Sequence, residues 1–232
     1  MFSEYYLKAR LMPAMLTMIP LVVLYVYMIS PLVDEVFMVV WNRLPLITGI
    51  SLNMAILFFL VLLNRFVSKK VFQNLFYQDE LYMPSTNMLM PDDGTLEKIT
   101  KNRYYSLIWA DFGIDLKTDL AKLTSEEEKR KMIIKIVALI RAKLVSNRML
   151  LRHNIEYGFW RNFLGGSILA AIVSVFLSIA AILNNNEPVF TAGIVLFIVY
   201  FLPIVFSKLI VKTHGGNYAN ILFEQYEAMN RN

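Results

Sequence analysis

The chain of 232 residues is 57% hydrophobic and 18% charged, carries a formal net charge of +5 and has no cysteine, whereas an ordinary soluble domain is roughly 45–50% apolar and 25% charged. Together with a mean hydropathy of +0.50, these figures exclude a soluble enzyme, a collagen-like fibre and a disordered tail. The absence of cysteine excludes a disulfide scaffold, a thiol nucleophile and a Cys-ligated metal site.

The apolar excess is concentrated in four uncharged runs, 11–33, 44–64, 162–186 and 188–207, of 23, 21, 25 and 20 residues, each long enough to cross a bilayer core, which takes about 20 residues of helix. The sequence therefore reads as an all-α membrane protein with four transmembrane helices and a helical cytoplasmic segment between spans two and three. Its expected domains are a first hairpin over 1–65, a helical segment over 66–160, a second hairpin over 161–211 and an amphipathic tail over 212–232.

Lys8 and Arg10 precede the first run in the manner of a secretory signal, but the run is too long and lacks a small-residue cleavage site, so it reads as a spanning helix. Pro13, Pro20 and Pro31 punctuate it. They predict a kink near Pro20 and an end near Pro31, with neighbouring helices satisfying the freed carbonyls. A polar link over 34–43 leads to the second run.

The middle segment starts with a predicted short helix over 71–77. An irregular linker containing Pro84, Pro91 and Gly94 follows, then a helix over 95–109 with apolar residues at Leu96, Ile99, Tyr104 and Leu107. Ser125 with Glu128 three residues later has the capping-box pattern, and Glu126 and Glu127 suit the positive end of a helix dipole. Ile133, Val137, Ile140, Leu144 and Leu151 then fall on one face with no Pro or Gly before Gly158. This predicts a helix of some 30 residues, a stalk running directly into the third span. Tyr157, Trp160 and Arg161 are suited to the membrane interface. Gly166, Ala170, Ser174 and Ser178 recur every four residues, a spacing that serves close helix packing within one bundle or, alternatively, a subunit seam or pore wall. His214-Gly215-Gly216 predicts the end of the fourth helix, capped in the left-handed conformation.

Lys and Arg divide unevenly. The two ends and the middle segment hold 22 of the 23, and the short links hold one, Arg43. The positive-inside rule places both termini and the middle segment in the cytoplasm of a multi-pass protein of the bacterial inner membrane. No Asp, Glu, Lys, Arg or His falls within the four runs, which argues against a proton-coupled carrier or an intramembrane protease.

The middle segment offers few chemical motifs. Asp111, Asp115 and Asp119 are spaced by four, but Gly113 interrupts them and they read as a solvated face. Arg148 and His153 have the Arg-x4-His spacing of HEPN ribonucleases. His214 reads as an exposed helix-end histidine. No phosphate loop, dinucleotide fingerprint or zinc spacing is present, so no catalytic residue, metal ligand or cofactor is expected and the chain reads as a non-enzyme. The candidate ligand-binding residues are basic, namely Lys129, Arg130, Lys135, Arg148 and Arg152. They suit anionic lipid headgroups, or a nucleotide or oligonucleotide with Tyr104, Tyr105 and Trp109 available for stacking.

Two amino-terminal spans, a small helical segment, two further spans and a short tail resemble the four-span membrane effectors of bacterial anti-phage signalling, of the CBASS and Hailong types. The stretch from Asn154 to Ser167, and His214-Gly-Gly-Asn-Tyr218 leading into Ile221, Leu222 and Tyr226, carry that resemblance. It implies an antiviral defence effector or ion channel, a homo-oligomer that disrupts the membrane when a nucleotide second messenger or a cytoplasmic defence protein binds. The alternatives are a membrane accessory protein of a CRISPR system using Arg148 and His153, and a non-defence membrane scaffold.

Overall fold

The computed structural model describes the backbone of residues 3–29 and 46–231, and the side chains of 3–27 and 54–231. No strand occurs among the described residues. The expected end near Pro31 and the 34–43 link lie outside them.

The chain divides into two compact units. The first, called the bundle here, comprises 1–72 and 158–210; the second, the helical domain, comprises 73–157 and 211–232. Three helices are long and apolar enough to cross a membrane: Glu4–Tyr27, Arg148–Leu183 and Glu187–Val205. Leu46–Ser68 forms a further helix of 23 residues.

The bundle is held by small and polar residues. A Cβ on Gly165 would overlap the Asn64 carbonyl oxygen and approach the Ser68 amide to 2.7 Å, and one on Gly166 would lie 2.5 Å from Thr17 Oγ1. These glycines let the helices of Thr17, Asn64 and Gly165 meet backbone to backbone. Asn64 Nδ2 donates to Thr17 Oγ1 (2.9 Å), and Ser68 Oγ to Asn162 Oδ1 (3.3 Å).

The first helix turns at Met18 and restarts at Ile19 with Pro20 in its first turn, as the proline pattern predicts. In an uninterrupted helix the carbonyls of Ala9 and Leu16 would accept from residues 13 and 20, which are both prolines with no N–H to give. Asn162 Nδ2 donates to Ala9 O (2.6 Å) and Tyr200 Oη donates to Leu16 O (2.5 Å). Both proline-deprived carbonyls are thus satisfied by side chains of the later hairpin, as a bilayer core demands of any backbone polar group.

The helical domain has a core of large side chains: Leu89, Ile108, Leu116, Leu120, Ile133, Ile136, Ile140, Leu222, Phe223 and Tyr226 are all under 2% exposed. Its helices include Lys98–Phe112, Leu116–Lys122 and Glu126–Lys143. The Ile133, Val137, Ile140 and Leu144 face is the buried one.

Three local expectations are corrected. The stalk is not continuous, because the helix Glu126–Lys143 ends at Leu144 and a new one starts at Arg148. Asn147 makes the break without Pro or Gly. Its Oδ1 accepts from Leu150 N (2.9 Å) as an N-cap, while its Nδ2 donates to Gln225 Oε1 (2.8 Å). Nor does Ser125 form a capping box, since its side chain makes no cap bond. Instead Glu126 and Glu127 pair one turn ahead with Arg130 (2.8 Å) and Lys131 (2.6 Å).

The third correction concerns Gly215 and Gly216, which do not end the fourth helix. That helix stops at Val205, just after its internal Pro203, and Ser207–Met229 runs through both glycines without a left-handed residue. Gly215 serves close approach, since a Cβ there would lie 2.6 Å from Tyr77 Oη. The segment expected as an amphipathic tail contributes its apolar face to the core of the helical domain, where Tyr218, Ala219, Leu222, Phe223 and Tyr226 are buried.

Candidate functional site

In the helical domain a cavity of about 500 Å3 is lined by Lys98, Lys101, Asn102, Tyr105, Lys117 and Lys129, with Asp92 and the apolar Pro91, Leu120 and Ala121. Its volume falls in the range of roughly 300–1,000 Å3 usual for ligand pockets. Local helix geometry assembles it. Lys98, Lys101, Asn102 and Tyr105 follow the i, i+3, i+4, i+7 spacing of one helix face, and Lys117, Leu120 and Ala121 repeat the pattern on the next helix. That second helix starts at Asp115, whose Oδ1 accepts from Thr118 N (3.1 Å), after Gly113 at φ 66° ends the first. The loop residues Pro91 and Asp92 close one side.

The electrostatics are one-sided, with four ammonium groups against one carboxylate. Lys101, 6% exposed, is fixed by donation to the carbonyls of Met90 (2.7 Å), Pro91 (3.3 Å) and Asp93 (2.5 Å). A buried cation must have such partners, because desolvation alone costs several kcal/mol; here three carbonyl dipoles supply them. Tyr105 is also fixed, donating to Leu89 O (2.7 Å). Burial, with a smaller contribution from the Asp92 carboxylate, pushes its phenol up to about 12, so it remains neutral and keeps that bond. Lys98 and Lys117 are exposed and Lys129 is half-buried. This leaves three solvent-accessible cations around one held in place, an arrangement that can take up a multivalent anion.

Of the five basic residues expected to bind ligand, Lys129 lies in this cavity. Arg130 is a clamp: its side chain is 11% exposed, with Nε on Glu126 (2.8 Å), Nη1 on Asn87 Oδ1 (2.6 Å) and Leu81 O (3.1 Å), and its guanidinium 4.0 Å over the Tyr82 ring. Lys135 and Arg148 are exposed, and Arg152 faces Glu156 (3.6 Å). His153 also faces Glu156 (3.7 Å). His214 is half-buried, which lowers its pKa; Glu156 works against that burial and His153 with it.

Tyr104 is buried against Phe223, with ring centroids 5.2 Å apart, whereas Trp109 is 63% exposed. The three aspartates part company. Asp111 accepts from Tyr226 Oη (2.8 Å) and pairs with Lys143, Asp115 caps a helix, and Asp119 pairs with Lys122 (2.9 Å). The sequence reading missed Lys98, Lys101 and Lys117, although the shared face of Lys98, Lys101 and Tyr105 was there to be read.

The small-residue stripe is occupied within one chain. Gly166, Ala170, Ser174 and Ser178 are all buried. Ser174 Oγ donates to Ala170 O (2.8 Å), Ser178 Oγ donates to Ser174 O (3.0 Å), and Gly193 packs so closely on Ser178 that an added Cβ would meet its hydroxyl.

No family model, curated protein or solved structure matches the chain.

Proposed function

We propose that the chain is a four-span inner-membrane effector, its helical domain and both termini cytoplasmic, in which a multivalent anion at the lysine cavity gates an oligomeric, membrane-disrupting state. The cavity carries this reading, because four lysines around a fixed tyrosine form a receptor for a phosphate-bearing ligand such as a nucleotide or oligonucleotide. Leu46–Ser68 supplies the fourth span. Lys8, Arg10, Arg65, Lys69 and Lys70 lie toward the ends of their helices that lead into chain read as cytoplasmic, Lys208 directly follows the last span, and Glu187 starts that span after the opposite link. Of the three boundaries between the units, at 72/73, 157/158 and 210/211, the last two fall inside the helices Arg148–Leu183 and Ser207–Met229, which gives ligand binding helical routes out of the helical domain. With the Gly166–Ser178 stripe occupied within the chain, subunits meet through the exposed apolar faces of the bundle. The defence role rests on the layout resemblance.

The test reconstitutes the full chain in liposomes loaded with a self-quenching dye. A short oligoadenylate and tripolyphosphate serve as probes, each added to wild type and to a Lys98→Glu/Lys117→Glu variant. The proposal expects probe-dependent release from wild type and a loss of at least about tenfold in probe affinity in the variant, since two contacts worth about 1 kcal/mol each are reversed. Release without any probe dependence, or equal affinity in the variant, would overturn the gating.

A further inference from the structure

A second cavity in the helical domain, about 380 Å3, differs in character from the lysine cavity. Leu75, Phe76, Tyr77, Tyr82, Pro84 and Met88 give it apolar walls, and Lys212 is the one charged residue in its lining. Lys212 is exposed and has no carboxylate partner among the described residues. The walls are fixed: Tyr77 Oη donates to Val211 O (3.0 Å), next to Lys212, and Arg130 covers the Tyr82 ring at 4.0 Å. The chain at its rim is strained, with Gln78 and Asp79 in succession at φ 43° and 62°, a region that non-glycine residues enter at a cost of about 1 kcal/mol or more each. Leu75, beside this cavity, leaves 70% of its surface exposed, an unfavourable arrangement for a residue meeting only water.

We propose that this cavity binds an anionic phospholipid, its phosphate at Lys212 and its acyl or glycerol portion against Leu75 and Phe76. A lone cation above an apolar wall matches an amphipathic anion, whereas a soluble polyanion finds four lysines elsewhere in the same domain. Chain position gives such a lipid access. Leu75 lies three residues beyond Phe72 and Lys212 two beyond Ile210, the residues at which the bundle ends. The assignment therefore rests on the bundle spanning a membrane, and not on ligand gating through the lysine cavity.

The test uses the full chain in a neutral detergent and native mass spectrometry with dioleoyl phosphatidylglycerol, dioleoyl phosphatidylcholine, glycerol 3-phosphate and oleate. Wild type should retain phosphatidylglycerol in preference to phosphatidylcholine. Lys212→Gln should lower that retention about fivefold, the equivalent of one surface lysine facing an anionic lipid, and Leu75→Asn should lower it too. Lys117→Glu, in the other cavity, should leave it unchanged, which separates failure of this site from failure of the gating proposal. Both test positions are exposed, so the variants keep the fold, checked by circular dichroism. Equal retention of phosphatidylglycerol by wild type and Lys212→Gln would overturn the proposal. So would equal retention of the two lipids by wild type, or saturation of the site by glycerol 3-phosphate or oleate alone.

Discussion

The bundle and the helical domain differ in what they bury, the bundle drawing far more on small and polar residues beside its few large ones such as Leu164 and Leu177. Inside the bundle lie Ala9, Ala14, Thr17, Asn64, Ser68, Asn162, Ala170, Ser174 and Ser178, while Phe58, Phe59, Phe66, Phe176, Ile182, Val195 and Val205 point outward. The helical domain is built round large side chains, with Leu, Ile, Phe and Tyr inside and, apart from the buried Lys101, its lysines and glutamates at least partly exposed. A helix in hydrocarbon gains nothing by hiding Phe from its solvent, so association there depends on close backbone approach and on satisfying polar groups. In water, burying large side chains is the principal gain. The difference is the one that two solvents would select along a single chain, and substitutions test each side of it.

The largest effect is expected where the bundle is tightest. Gly165→Leu would drive a side chain into the Asn64 carbonyl and Ser68, at a cost above about 3 kcal/mol by the scale of overpacked cores. Size-exclusion chromatography in detergent should show loss of the monodisperse species, whereas Gly216→Ala, with nothing within 4 Å of its Cβ, should elute as wild type. In the helical domain the reverse operation is the damaging one. Phe223→Ala, at a residue 1% exposed, should cost about 3–5 kcal/mol, read as earlier loss of protection in hydrogen exchange over 98–143, with the bundle helices unaffected.

Smaller, and specific to the bundle, is the coupling of Tyr200 to Pro20. Tyr200→Phe removes the hydroxyl donor to Leu16 O and should cost about 1 kcal/mol, near the measured range for hydrogen bonds between spans. Pro20→Ala restores the helix N–H, so the same Tyr200→Phe change should be nearly silent in that background. A thermal-unfolding double-mutant cycle reads the difference, and an equal cost in both backgrounds would remove the proline argument.

In the helical domain Asp111 provides a pH-dependent counterpart. Burial raises its pKa, but hydrogen bonds from Lys143 and Tyr226 outweigh that and hold it below the usual carboxylate value. A folded pKa below the unfolded one means that the stabilisation is complete above the unfolded value, near 3.9, and is lost as pH falls through the folded one. Thermal unfolding at pH 5 and pH 3 should therefore show a larger drop for wild type than for Asp111→Asn. The smallest effect belongs to the exposed surface of the bundle: Val175→Leu, 41% exposed, should shift stability by less than about 0.5 kcal/mol.

The sequence made much of this contrast legible through local signals. Uncharged runs marked the apolar helices, Pro13 and Pro20 announced carbonyls in need of donors, and the spacing of Ile133, Val137 and Ile140 named a core face. Long-range pairings were hidden. Nothing local says that Asn162 and Tyr200 are the donors, or that Arg130 packs on Tyr82 and bonds Asn87. The break at 144–147 escaped because one helix ends at Leu144 and Asn147 caps the next with no Pro or Gly to mark it. The helix end expected at Gly215 failed because Gly there answers to Tyr77, packed against it from far along the chain. The lysine cavity was half legible, since Lys98, Lys101 and Tyr105 share a face, but Lys117 and Lys129 join them only through the fold.

Because the chain lacks cysteine, single Lys117→Cys and Glu187→Cys variants provide the most direct test of the two-solvent account and its orientation. In intact spheroplasts treated with a membrane-impermeant maleimide, Glu187→Cys should label, and Lys117→Cys should label only after the membrane is opened. Labelling of Lys117→Cys from outside, or protection of Glu187→Cys until lysis, would contradict the account.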